Sequence, residues 1–260
     1  MTTTTYLLLL WGDPDADFDV AAAYAAHGRF ASDCLEHGHE LLGGEELASP
    51  STARLLRVGD GGTEPTEGPY AETTEHLGGF YRVRTSDPDG LLRLAAPLVA
   101  DDGGTLELRP EVLHDDGSAD DLAEAGADAS GAATYLLLLR GDLDATLDLD
   151  AVFADHDRFA EQCAAQGHAI VGGEELASPR ASRLLRATPT GDVTLSDGPH
   201  AETTEQLGGY YLVRTADPDA LLRLAAGLLE HDPGIIELRR VQDQDAQHDA
   251  AGTAAAAEAS

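Results

Sequence analysis

The chain has 260 residues, of which 42% are hydrophobic, and its 48 acidic residues face only 16 basic ones, a formal net charge of -32. Every basic residue is Arg, and a field of that sign repels phosphate backbones and anionic lipid heads, so nucleic acid and membrane surfaces are excluded as expected partners. The opening MTTTTYLLLLW has no basic stretch and only a six-residue apolar run, too short for a signal peptide or membrane span, so a cytoplasmic location is expected.

The stretch that begins at Tyr6 recurs from Tyr135, offset by 129 residues and later by 130. GGEELASP stands at Gly43 to Pro50 and, unchanged, at Gly172 to Pro179, and LLRLAA stands at Leu91 to Ala96 and Leu221 to Ala226. Two copies of one module of roughly 105 residues therefore fill the chain. The expected boundaries are 1–112 for the first domain, 113–133 for a flexible acidic linker, 134–241 for the second domain and 242–260 for a disordered tail.

In each copy the apolar run Tyr6 to Trp11 reads as a strand covered on both faces. A helix follows, with Val20, Ala23, Tyr24, His27, Phe30, Ala31 and Cys34 on one stripe and Gly38 as its stop. Short strands are predicted over His39 to Leu42 and Ala53 to Val58, separated by a loop through Gly43, Gly44 and Pro50. Gly68-Pro69 and a loop rich in Glu and Thr lead to a strand from Gly79 to Thr85. Asp87-Pro88 opens a second helix, because Asp caps free amides and Pro at the first helical position gives up no needed donor. The last strand, Thr105 to Arg109, is read with Leu106 and Leu108 inward and Glu107 and Arg109 outward. Cys34 and Cys163 hold equivalent positions without a CxxC partner and read as buried core thiols.

This order is that of an α+β fold with two ferredoxin-like βαββαβ domains. The LLLL strands need cover on both faces, so the copies are expected to pack sheet to sheet as an intramolecular pseudo-dimer, with further oligomerisation left open.

Asp197-Gly198-Pro199-His200 followed by AETTEQLGGYYLV resembles the DGPF-type segment of the YCII-related family, and so do the helix histidine with Phe three residues on and the later GGE. The resemblance covers both copies and implies a dimeric α+β barrel, with a site centred on the helix histidine and an acidic residue. It further implies isomerase-like or lyase-like chemistry in some members and an association with transcription regulation in others. The copies depart from the pattern differently: Glu67 and Tyr70 stand in the first where Asp197 and His200 stand in the second.

His27 and His156, on the inward stripe, are the expected acid/base groups, since an imidazole beside a carboxylate exchanges a proton near neutral pH. Asp197 and Glu67 are candidate catalytic carboxylates, with Glu45 and Glu174 as alternative partners at a pocket rim. Arg57 and Arg186, with Arg54 and Arg183 on the same strands, could grip an anionic ligand, and Tyr70 and His200 complete the ligand-binding set. His37 and His39 have only Gln166 and His168 as counterparts, so no metal is expected. The Gly pairs make neither GxGxxG nor a P-loop, so no nucleotide cofactor is expected either. Two functions stand side by side: a small-molecule enzyme or binder using a histidine and an acid, and a non-catalytic regulatory or interaction module. Should one copy alone be active, the second, nearer the family pattern, is the expected one.

Overall fold

The computed structural model describes residues 3–17, 19–59, 62–70, 75–100, 103–112, 131–142, 144–187, 192–200 and 205–242. The expected linker, but for 131–133, and the expected tail beyond 242 lie outside these residues, as does most of each AETTE segment. The first copy contributes β1 (Thr4–Gly12), α1 (Val20–Glu36), β2 (Glu40–Glu46), β3 (Arg54–Gly59), β4 (Gly62–Glu67), β5 (His76–Thr85), α2 (Pro88–Ala95) and β6 (Thr105–Pro110). The second contributes β7 (Ala133–Gly141), α3 (Leu149–Gln166), β8 (Ala169–Glu175), β9 (Arg183–Ala187), β10 (Val193–Asp197), β11 (Gln206–Thr215), α4 (Pro218–Ala225) and β12 (Gly234–Arg240).

Two six-stranded antiparallel sheets result, in the orders β10-β9-β6-β1-β5-β2 and β4-β3-β12-β7-β11-β8. Each copy's middle hairpin has therefore left its own sheet: β3 pairs with β12 of the second copy and carries β4 on its outer edge, while β9 pairs with β6 of the first and carries β10. This exchange is absent from the sequence reading, which kept Ala53 to Val58 in its own copy and did not foresee β4. GGEELASP builds the crossing. Leu47 bridges Val241, the Ala48 amide donates to the Arg240 carbonyl, and Ser49 with Pro50 then starts a short 3-10 turn that redirects the chain. Leu176, Ala177, Ser178 and Pro179 do the same beside Glu111 and Pro110.

The period of two along β1 sends Leu7, Leu9 and Trp11 to one face and Leu8 to the other. The first set meets Leu136, Leu138 and Tyr210 in a core between the sheets. Leu8 packs with Phe30, Cys34, Leu91 and Leu92 of the helices, and with Leu185 of the exchanged strand β9. The mirror cluster gathers Leu137, Phe159, Cys163 and Leu221 around Leu56 of β3. Ion pairs across the copies tie the hairpins down, Arg54 to Asp219 and Arg183 to Asp89.

Asp19, Asp87, Asp148 and Asp217 each cap a helix by accepting an amide hydrogen bond from three residues on. Gly167 closes α3 at φ 80°, a left-handed turn that glycine adopts without a Cβ clash. The α1 stripe is narrower than expected: Ala26, Phe30 and Cys34 are buried, whereas Val20 and Tyr24 are exposed. The outward assignment of Glu107 and Arg109 is also corrected, since both are buried between the sheets and bond to each other at 2.6 Å. Both cysteines are free and buried, and burial pushes their thiols up to about 11 for Cys34 and about 12 for Cys163.

Candidate functional site

The repeated Gly pair has a second task. Gly44 lies opposite Tyr81 across the β2–β5 ladder, and a Cβ on Gly44 would stand 2.5 Å from the Tyr81 ring and 2.8 Å from the Phe80 carbonyl oxygen. Without that Cβ the ring lies flat over β2 and its hydroxyl reaches His27 Nδ1 at 2.7 Å. Gly173 seats Tyr211 in the same way, and the Tyr211 hydroxyl lies 2.6 Å from His156 Nδ1. Burial pushes Tyr81 up to about 12, so it stays a neutral phenol. Gly44→Ala is expected to displace Tyr81 and to cost about 1–3 kcal/mol of stability, read by urea unfolding.

His27 faces a cavity of about 780 Å³ whose wall also carries Tyr24, Glu45, Glu46, Tyr81 and Arg239. Tyr81 occupies Nδ1, while Nε2 has no hydrogen-bond partner among the described residues. Burial lowers the His27 pKa below its ordinary 6.5 and raises that of Glu45, so the ring is neutral at pH 7 and the carboxyl protonates more readily than usual. At the rim the Tyr24 hydroxyl donates to Glu46 at 3.2 Å.

The two Glu residues after the Gly pairs are not equivalent. Glu174 is held at 2.6 Å by Arg82, which also grips the buried Glu111 at 2.9 Å. The positions matching Arg82 and Glu111 in the second copy are Leu212 and Val241, so Glu45 meets no such cation. Among the described residues Glu45 has no partner, and it is the candidate acid that shares a cavity with a helix histidine.

The YCII-related domain model matches residues 4–110 and again 133–245. The chain belongs to the YCII-related family. No curated protein matches it in sequence. Among solved structures it is similar to one described as "Putative Chlorite dismutase", at 10% identity and a TM-score of 0.38, over 93% of this chain and 96% of that one.

In this YCII-related protein the exchange carries the turns at Gly68-Pro69 and Gly198-Pro199 into the sheet of the other copy. Asp197 is exposed and pairs with Arg183 at 2.6 Å, and Glu67 lies across from Arg54 on β4, so neither lines the His27 cavity. Arg57 and Arg186 each donate to a backbone carbonyl, of Tyr70 at 3.0 Å and of His200 at 3.2 Å, and thereby hold the turns. Tyr70 and His200 reach across to the other copy. Arg140 lies over the Tyr70 ring at 4.4 Å, and His200 stacks on Trp11 at 4.5 Å, where Trp11 and Arg140 are equivalent positions. The substitutions that distinguish the copies are thus matched in pairs across the exchange.

Sequence reasoning missed Tyr81, Tyr211 and Asp232. Asp232 packs against Gly141, whose missing Cβ would lie 3.2 Å from it, and its charge acts on His156, although burial is the larger influence on that ring and lowers its pKa. Its counterpart Asp102 lies outside the described residues. His37 and His39 do not converge: His37 is exposed and bonds to Asp33, while buried His39 lies 2.7 Å from the Thr85 hydroxyl. Asp155, Glu230 and His231 cluster closely, but the Arg158 guanidinium already pairs with both carboxylates, at 2.7 and 3.0 Å.

Burial is the leading cause that lowers the pKa of His27, His39, His156, His168 and His200. An imidazole of this kind is neutral in the fold but takes up a proton in the unfolded chain at pH 6.5, so stability is full above that pH and declines as pH falls below it. The urea midpoint is expected to drop between pH 7.5 and 5.5, the opposite of what paired, charge-stabilised histidines would give.

Proposed function

We propose that this protein binds a small, largely apolar organic molecule in the first-copy cavity and moves a proton on it. The single observation that carries this reading is the pairing, in one cavity, of an imidazole held at Nδ1 with a half-buried carboxyl that has no partner. Neutral His27 accepts a proton from the substrate at Nε2, and protonated Glu45 returns one to another atom, which suits isomerisation, elimination or lactone opening. The shifts support these roles, because burial makes His27 a neutral base and makes Glu45 a better-retained acid. We read each copy as a ferredoxin-like unit, with strand orders β6-β1-β5-β2 and β12-β7-β11-β8, and the pair as a dimeric α+β barrel on one chain.

A thermal-shift screen of small cyclic acids, lactones and enols tests the reading. Hits are expected to lose their effect with His27→Ala or Glu45→Gln and to keep it with His156→Ala. Hits indifferent to both first-copy changes would sink it.

A further inference from the structure

The wall of the His27 cavity is unbalanced in charge. Three acidic side chains stand on it, Asp13, Glu45 and Glu46, each of them half-buried. A single arginine joins them, Arg239, and its buried guanidinium bonds inward to Glu237 and to the Ala48 carbonyl. The chain has no Lys and every one of its arginines lies among the described residues, so no other permanent cation belongs to this wall. Asp13 accepts from the Asp15 amide at 2.9 Å and Glu46 from the Tyr24 hydroxyl at 3.2 Å, neutral donors that leave the negative charge unmatched.

The second copy treats its acid differently. Glu174 is answered by Arg82 at 2.6 Å, whereas the residue that matches Arg82 is Leu212, so Glu45 receives no cation from the chain. The remainder of the first cavity's wall includes four aromatic side chains, Trp11, Tyr24, Phe80 and Tyr81. Aromatic rings attract organic cations through their π faces and bury the apolar body that carries the charge. Unmatched carboxylates among aromatic rings are the chemistry that recognises an amine, and a net charge of -32 draws cations to the mouth while it repels carboxylates.

We propose that the molecule taken by the His27 cavity is a small organic amine, bound as its cation, with the nitrogen held by Glu46 and Asp13 and the apolar body against the aromatic wall. This rests on the reading of the cavity as a proton-transfer site and fits it. Burial makes Glu45 the readily protonated acid of the three, which leaves the other two to hold the cation. A cationic nitrogen also withdraws electrons from neighbouring C–H bonds and so eases loss of a proton to His27.

Benzylamine, benzyl alcohol and benzoate present one ring with a cationic, a neutral and an anionic group. Each is titrated into the intact protein at neutral pH and equal ionic strength, and Trp11 emission is read. Trp11 is the only tryptophan of the chain and lies on the cavity wall, so cations gathered elsewhere on the acidic surface do not register. Benzylamine is expected to saturate the change at a concentration about tenfold below benzyl alcohol, and benzoate to give none. Glu46→Gln is expected to remove most of that preference and to leave benzyl alcohol unchanged. Glu36→Gln, an exposed charge at the other end of α1, is expected to alter neither. Benzoate binding as well as benzylamine, a preference that survives Glu46→Gln, or one that Glu36→Gln lowers equally each overturns the proposal. Benzyl alcohol binding that depends on His27 without any preference for the amine overturns it and leaves the proton-transfer reading standing; no change with any of the three overturns both.

Discussion

Neither half of this chain is expected to persist as a folded monomer, and co-expressed residues 1–112 and 131–242 are expected to assemble as a one-to-one heterodimer. Separation would bare Leu7, Leu9, Trp11, Leu47, Leu77 and Phe80 of the first copy, all now in the core between the sheets. Burying six such side chains contributes about 10–20 kcal/mol, comparable to or larger than the whole stability of an ordinary domain, about 5–15 kcal/mol. The β6 edge would also lose β9, its ladder partner. Homodimers are disfavoured because the contacts are matched between unlike halves. Tyr70 needs Arg140, His200 needs Trp11 and Glu174 needs Arg82. Native mass spectrometry of the separately and jointly expressed halves decides, and a folded monomer of either half contradicts the exchange.

Arg82→Leu is expected to cost about 3–5 kcal/mol, the range for breaking a buried ion pair from one side. Glu111 and Glu174 are almost wholly buried, and Arg82 is the cation that both carboxylates contact. In contrast, Leu212 and Val241 show that the same fold tolerates an apolar pair at this place in the other copy. The double variant Arg82→Leu/Glu111→Val copies that pair and removes one of the two carboxylates that lose their arginine, so it is expected to recover at least half of the loss. Thermal or urea unfolding measures both. A single variant within about 1 kcal/mol of the parent would contradict the role given to the arginine.

Much of the scaffold was legible because it is written in local chemistry. The LLLL strands, the Asp-Pro helix start and the inert cysteines follow from period, capping and burial, and the structure places them accordingly. The hairpin exchange was not legible from pattern alone, since β3 and β4 need the same residues whichever sheet they join. A trace of it was present all the same: Tyr70 and His200 differ between copies, and so do Arg140 and Trp11, the residues they touch across the exchange. The inward helix positions of His27 and His156 were legible, whereas the candidate carboxylates Glu67 and Asp197 stand in turns that the exchange moves away from the His27 cavity. Glu45 was visible only as an alternative rim residue. What singles it out, the absence of an arginine that its twin Glu174 possesses, depends on a contact between the two copies that no single-copy pattern records.

The proposed function places the working site in the first copy, with His27 Nε2 facing the cavity. Imidazole nitrogen NMR spectra of His27 and His156, recorded with and without a small-molecule hit from the thermal-shift screen, address this directly. The expected result is a shift at His27 Nε2 with His156 unmoved; a shift confined to His156, or none at either ring, contradicts it.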